Sequence, residues 1–159
     1  SDQIHSVPIT KGEVKEFPAQ EKFVLLHHNY QSVSEFVERF NRYSSIQAGE
    51  KKTKQELTSS EIIEEFTSSF LRRLFSQEGI EDGVHGASLS ILQSVSDAVM
   101  KMKVWEKQGF PQKKQSLEKT LGSLSKFKRE LAYWMADTQI KHTSGIKKLI
   151  WRLRRKLMI

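Results

Sequence analysis

Five histidines are the residues of this chain best suited to metal binding or proton transfer, and two of them are adjacent. They are His5, His27, His28, His85 and His142. Metal-binding histidines usually recur with further ligands at fixed intervals, and these histidines show no such interval. Spacing alone therefore favours a structural role for the pair His27 and His28.

The sequence motifs of the common enzyme classes are absent. The chain has no glycine-rich phosphate loop, no Gly-x-Ser-x-Gly, no His-Glu-x-x-His and no Asp-x-Asp pair. It has no cysteine either, which excludes disulfides and thiolate metal sites. A self-contained enzyme of these classes is therefore not expected.

Positive charge is concentrated in the last third of the chain. Residues 1–110 contain 13 Lys and Arg against 16 Asp and Glu, whereas residues 111–159 contain 13 against 3. The net charges of these parts are −3 and +10, which sum to the +7 of the whole chain. Such an asymmetry is typical of a protein whose one end meets an anionic surface, either acidic lipid headgroups or nucleic acid.

Residues 146–159 predict a basic amphipathic helix. Its apolar residues share one face at helical spacing and are Ile146, Leu149, Ile150, Leu153 and Leu157. The candidate membrane-binding residues around them are Lys147, Lys148, Trp151, Arg152, Arg154, Arg155 and Lys156. Docking on an anionic membrane uses both the stripe and the charge, at about 1 kcal/mol per cation. Binding to a partner helix needs the stripe alone, and nucleic-acid binding is least favoured because Trp151 is the one aromatic residue available for stacking.

The elements that must position these side chains are amphipathic helices. Capping boxes predict helix starts at Ser32 and Thr58, since each is followed by Glu three residues later. Gly79 is predicted as the C′ residue that ends the second helix. Apolar periodicity predicts a third helix after the turn at Asp82-Gly83 and a long fourth helix from about Lys114 to Lys141.

The predicted fold is mainly α, with four to five amphipathic helices after a short N-terminal β remnant. The remnant covers residues 1–31, which have no helical period and are predicted to form short strands around Val7, at Val14 and from Phe23 to Leu26. Residues 32–110 form the predicted helical module, and residues 111–159 form the basic helical tail. No run of about 18 apolar residues occurs, so none of the predicted helices should span a bilayer.

The segment from Leu26 to Tyr43 resembles the stretch that follows the catalytic domain in many bacterial family 2 glycosyltransferases of the lipopolysaccharide-core type. It reads LHHNYQSVSEFVERFNRY, with an apolar strand, a histidine, a tyrosine, a capped helix and an Asn-Arg-Tyr triplet. Two further pieces agree in order. The first is similar to the family's helix and Asp-Gly turn and consists of Phe70 to Arg73 with Gly79 to Gly86. The second is similar to its helix end and consists of Lys103 to Glu106. The resemblance covers roughly residues 4–107.

The resemblance implies roles for particular residues. Ile4 to Pro8 is similar to the last motif of the family's catalytic domain, whose histidine lies near the metal and the diphosphate, so His5 is a candidate metal residue. Ser6 departs from the glutamate usual there, and a neutral hydroxyl does not replace a carboxylate at ordinary pH. The candidate residues of the acceptor-facing wall are His27, His28, Tyr30 and Asp82. Without the resemblance, the sequence indicates that Tyr30 packs against a helix and that Asp82 belongs to a simple turn.

By the same resemblance, the whole enzyme would transfer a sugar, with inversion, from a nucleotide-sugar donor to a cell-envelope glycan or lipid-linked acceptor, using Mg²⁺ or Mn²⁺. The donor-binding half and the acidic metal ligands are expected upstream of Ser1, so this chain alone should need no cofactor and catalyse no transfer. Its expected role is a scaffold for that catalytic domain, docked on the cytoplasmic face of an anionic membrane. The alternative is a non-enzymatic helical adaptor or membrane-surface-binding protein.

Overall fold

The structure is a computed structural model that describes residues 11–16, 18, 20, 30–50, 57–111, 114 and 116–157. Most of these residues are helical, which confirms the prediction of a mainly α fold. The strands predicted around Val7 and from Phe23 to Leu26 lie outside the described residues. Val14, also predicted as a short strand, is described, and it is exposed and belongs to no strand there.

The described part of the chain contains five α-helices in sequence order. They are α1 (Val33–Glu50), α2 (Ser59–Leu71), α3 (Gly83–Lys107), α4 (Leu117–His142) and α5 (Gly145–Leu157). A π-helical segment, Arg72–Ser76, continues α2. The fourth helix begins later than predicted because Ser116 caps it, accepting a hydrogen bond from the Lys119 amide at 3.3 Å.

Side-chain caps also fix the starts of α1 and α2. At α2 the Thr58 hydroxyl accepts from the Glu61 amide at 3.3 Å, and the Glu61 carboxylate accepts from the Thr58 amide at 2.8 Å. At α1 the Ser32 hydroxyl accepts from the Glu35 amide at 3.0 Å. The Glu35 carboxylate, however, accepts from the amide of Gln31 at 2.9 Å, one residue before the predicted partner. The capping box is therefore complete at Thr58 and shifted at Ser32.

α3 is packed between α1 and α2. It runs antiparallel to α2, since Ser69 donates to the Asp97 carboxylate at 2.5 Å and Lys101 pairs with Glu65 at 2.5 Å. The Arg73 guanidinium completes this contact at 2.9 Å from Asp97. The seam between these two helices is thus joined by charged groups on its exposed side.

α4 packs on α2 and runs in the same direction. Near its start Ser123 donates to the Glu64 carboxylate at 2.8 Å, and near its end Lys141 pairs with Glu78 at 3.5 Å. Midway, the Trp134 ring stacks on Phe75 with centroids 6.1 Å apart. α4 therefore lies along α2 from Glu64 onward and along its π-helical extension.

The inner face of α3 is made of small residues. Ser90, Ser94 and Ala98 are buried, and each serine hydroxyl is satisfied by the carbonyl one turn earlier. A Cβ placed on Gly86 would overlap the carbonyl oxygen of Gly79. Because Gly86 has no side chain, the backbone that ends the π-helical segment can lie directly on α3.

Gly79 does not have the role predicted for it. The residue in the left-handed region at this helix end is Glu78, with φ of 60°. Gly79 is instead required by space, because a Cβ there would lie 2.8 Å from both the Arg73 carbonyl oxygen and the Ser90 hydroxyl. The prediction of Gly79 as the C′ residue is therefore wrong, and close packing explains why a glycine stands there.

Candidate functional site

α5 returns along α4 after a short connection at residues 143–144. The Arg155 guanidinium donates to the Asp137 carboxylate at 2.5 Å and lies 5.9 Å from the centroid of the Tyr133 ring. Arg155 and Tyr133 stand at similar distances along the chain from the connection. The two helices therefore form an antiparallel hairpin.

The face of α5 that lies against α4 is basic and aromatic. Lys148, Trp151 and Arg155 are half-buried along this face. The guanidinium of Arg154 covers Trp151, 4.8 Å from the ring centroid. No residue of α5 is fully buried. Charged and aromatic contacts, rather than apolar burial, thus hold this helix on the bundle.

The apolar stripe of α5 points away from the bundle. Its members are between 46% and 79% exposed and are Ile146, Leu149, Ile150, Leu153 and Leu157. At 3.6 residues per turn they lie on the side of the helix opposite to Lys148, Trp151 and Arg155. A helix of a globular protein normally turns such a stripe toward the core. The reversed orientation of α5 leaves a continuous apolar surface for an external phase or partner.

Cations border the stripe on both sides. Helical spacing places Lys147 and Arg154 along one edge and Arg152 and Lys156 along the other. In the described part of the chain none of these four cations forms an ion pair with a carboxylate. We call the stripe together with these four residues the docking face.

α4 also has an exposed apolar row. Leu117, Leu121, Leu124 and Met135 share one side of α4 at helical spacing, and each is 45% exposed or more. The side chains that α4 buries most completely are the small residues Ser123 and Ala136. The row is exposed because α4 meets α2 and α5 through other faces.

The residues predicted for the acceptor-facing wall are only partly described. Tyr30 packs on Phe36 with ring centroids 4.7 Å apart and lies 5.4 Å from the Arg39 guanidinium. It lines a groove of about 210 Å³ between the start of α1 and the first half of α3, together with His85 and Ser88. This groove offers a phenol, an imidazole and a hydroxyl above an apolar floor.

Asp82 is exposed and precedes α3, where its carbonyl oxygen accepts from the Gly86 amide at 3.4 Å. It is not among the residues that line the Tyr30 groove, so the structure does not bring Asp82 and Tyr30 together there. Gly83, with φ of +60°, supplies the turn. His5, His27 and His28 lie outside the described residues.

Two residues near these surfaces were not assigned to a site from the sequence. His85 joins Tyr30 in the groove, and Tyr133 joins the cations of α5. Tyr133 had a usable signal, because a short connection between two helices predicts an antiparallel hairpin that pairs positions equidistant from the turn. His85 had no comparable signal, since its neighbour Tyr30 comes from a distant part of the chain.

The described residues lack two further features. They contain no group of three or more His, Cys, Asp or Glu side chains placed to hold a metal ion. Their helices include none with the length and apolarity needed to cross a membrane. Comparisons with protein-family models, with curated proteins and with solved structures find no match to the chain.

Proposed function

We propose that this chain is a helical module that docks on an anionic membrane surface through α5. The observation that carries the proposal is the reversed orientation of α5, whose apolar stripe faces outward between two rows of cations. A helix lying in the membrane interface needs this arrangement, with apolar side chains in the acyl region and lysine and arginine at the level of the headgroups.

The two parts of the docking face contribute similar free energies. Full burial of a leucine or isoleucine side chain is worth roughly 1.5–3 kcal/mol, so the half-exposed residues of the stripe should each gain about 1 kcal/mol. Each cation near an anionic leaflet contributes about 1 kcal/mol as well. Binding should therefore need both the stripe and the anionic lipid.

We further propose that the module belongs to a family 2 glycosyltransferase of the lipopolysaccharide-core type. Support comes from the ordered resemblance at Leu26 to Tyr43, Phe70 to Gly86 and Lys103 to Glu106. In that enzyme the module would hold the catalytic domain at the cytoplasmic face of the membrane, close to a glycan or lipid-linked acceptor. The nucleotide-sugar and the divalent metal would be bound by the catalytic domain.

The candidate wall residues keep their proposed role within this enzyme. The acceptor would be faced by Tyr30 and the groove beside it and by His27 and His28. Asp82, in the turn before α3, would face it as well. His5 would lie near the metal. These assignments rest on the resemblance and on position in the sequence.

Co-sedimentation with vesicles tests the docking. The protein should bind vesicles of phosphatidylcholine with phosphatidylglycerol, bind pure phosphatidylcholine weakly, and be released by salt. The double variant Leu149→Ser with Leu153→Ser should bind about 30-fold more weakly, corresponding to about 2 kcal/mol. The matched control is Val33→Ser with Val84→Ser, which removes two exposed apolar side chains elsewhere and should bind as the unmodified chain does.

A different result would favour the helical adaptor. Binding that ignores lipid charge, or equal losses in the stripe variant and its control, would contradict docking through α5. The glycosyltransferase assignment has a separate test in the reading frame before Ser1. We expect alternating strands and helices with an Asp-x-Asp pair there, and a frame without them would contradict the assignment while leaving the docking proposal intact.

A further inference from the structure

An open concavity of about 640 Å³ lies between α4 and α5, along one edge of the docking face. Its lining consists of Tyr133, Arg152, Arg155 and Lys156. Three of these four side chains are cations, and the fourth ends in a phenol hydroxyl. A lining of this composition is suited to a small anion with several oxygen atoms.

Arg155 is held in place before any ligand binds. One of its guanidinium nitrogens donates to Asp137 at 2.5 Å, and its guanidinium carbon lies over the Tyr133 ring, 5.9 Å from the ring centroid. A fixed guanidinium loses less conformational freedom when it binds an oxyanion, and its planar fork matches phosphate geometry. Arg155 thus provides a pre-positioned anchor.

The net charge of the concavity depends on which of its cations are paired with a carboxylate. Asp137 neutralises one of the three cations, whereas Arg152 and Lys156 have no carboxylate partner in the described part of the chain. The concavity and Asp137 together therefore carry two uncompensated positive charges. A phosphate monoester carries between one and a half and two negative charges at neutral pH, with three terminal oxygens, whereas a diester carries one charge.

The position of the concavity indicates where such a phosphate would come from. Arg152 and Lys156 belong both to its lining and to one edge of the docking face. A lipid whose acyl chains lie along the apolar stripe would have its headgroup at this edge. Free phosphate shares the chemistry but gains nothing from the stripe.

We propose that the concavity between α4 and α5 binds the terminal phosphate monoester of a membrane lipid. The proposal rests on docking through α5, and it adds a headgroup preference that charge attraction alone would not give. In a glycosyltransferase acting on a lipid-linked acceptor, such a site would select membranes or acceptors that display phosphate monoesters.

The test compares two vesicle types of equal surface charge. Both consist of phosphatidylcholine, one with phosphatidic acid, which is a monoester, and the other with phosphatidylserine, which is a diester. The full chain should bind the phosphatidic acid vesicles about tenfold more tightly, a factor equal to 1.4 kcal/mol. Equal binding to both vesicle types would overturn the headgroup preference but not the docking, and absence of binding to either would overturn both.

Two double variants, each lacking two positive charges, show which cations produce the headgroup preference. Arg152→Gln with Lys156→Gln removes two lining residues, and we expect it to bind both vesicle types equally. Lys147→Gln with Arg154→Gln removes the cations of the opposite edge, and we expect weaker binding overall with the tenfold preference retained. Equal effects of the two variants would show that only total charge matters and would overturn the site. All four substitutions are at exposed positions, and unchanged helical circular dichroism would verify folding.

Titration with inorganic phosphate in the absence of vesicles distinguishes the source of the anion. Weak binding of free phosphate, combined with tight binding to phosphatidic acid vesicles, is the expected result. Binding of free phosphate as tight as binding to the vesicles would overturn the lipid assignment.

Discussion

The bundle of α1 to α4 and the helix α5 use amphipathic sequence in opposite ways. In the bundle, apolar side chains such as Phe36, Leu71 and Val104 are buried between helices. In α5 the apolar and charged residues are segregated most sharply, yet no residue is buried. Strong amphipathicity therefore does not by itself predict a place in the core.

Burial in this fold depends on which side chains face the neighbouring helix. The inner face of α3 is rich in serine, alanine and glycine, and these small residues let backbones approach closely. α5 instead meets α4 through long cationic side chains and Trp151. Its stripe is thus left for a surface outside the bundle, which is the basis of the proposed docking.

The largest difference in stability should be found between two leucine-to-alanine variants, one in the bundle and one in α5. Leu71→Ala removes a buried side chain of α2 and should lower the free energy of unfolding by roughly 2–5 kcal/mol. Leu153→Ala removes an exposed side chain of α5 and should change it by less than about 0.5 kcal/mol. Urea unfolding followed by circular dichroism measures both. Similar losses in the two variants would mean that the stripe of α5 is buried in solution.

A glycine pair gives the next largest effect. Gly86→Ala should lower the free energy of unfolding by about 3 kcal/mol, because the added methyl group overlaps the Gly79 carbonyl oxygen. Gly122→Ala in α4, where a Cβ meets no atom within 4 Å, should raise it by about 0.5–1 kcal/mol through helix propensity. A stabilising effect of both changes would refute close packing at α3. Thermal unfolding provides the measurement.

The two Arg–Asp ion pairs should differ by a smaller amount. Asp97→Asn weakens two contacts at once, one with the buried Ser69 hydroxyl and one with the Arg73 guanidinium, and should cost about 1.5 kcal/mol. Asp137→Asn weakens a single pair, with an arginine that is more exposed than Arg73, and should cost about 0.5 kcal/mol. Denaturant midpoints of the two variants test this order, and a reversed order would indicate that the α4–α5 hairpin contributes more to stability than the bundle.

The smallest effect is a pH dependence at the contact between α1 and α3. The Lys103 ammonium donates to the Asn41 carbonyl at 2.6 Å and to the Ser45 hydroxyl at 2.8 Å. Burial lowers the pKa of Lys103 from 10.5, and the Glu106 carboxylate opposes this change. Between the lowered pKa and 10.5 the folded chain binds fewer protons than the unfolded chain, so stability should rise with pH in that window.

Lys103→Gln should remove this contribution to the pH dependence. The measurement is urea unfolding of the variant and of the unmodified chain at several alkaline pH values. Identical slopes in the two proteins would show that Lys103 has the same pKa in the folded and unfolded chains.

Much of the helical framework could be predicted from local sequence. The capping residues Ser32 and Thr58 and the apolar periodicity are local signals, and the helices α1 and α2 begin where these signals indicate. The turn at Asp82-Gly83 is local as well. The role of Gly79 could not be predicted, because it depends on Ser90 and Gly86 from another helix.

The candidate site divides in the same way. An apolar stripe beside a cluster of cations in residues 146–159 could be predicted without the structure, since helical periodicity follows from side-chain order alone. The direction of that stripe was decided by tertiary structure. The Arg155–Asp137 pair and the contact with Tyr133 attach α5 by its basic face, and these partners lie on α4. Which face of a helix is exposed depends on the partners that cover the others, and the tertiary structure brings those partners together.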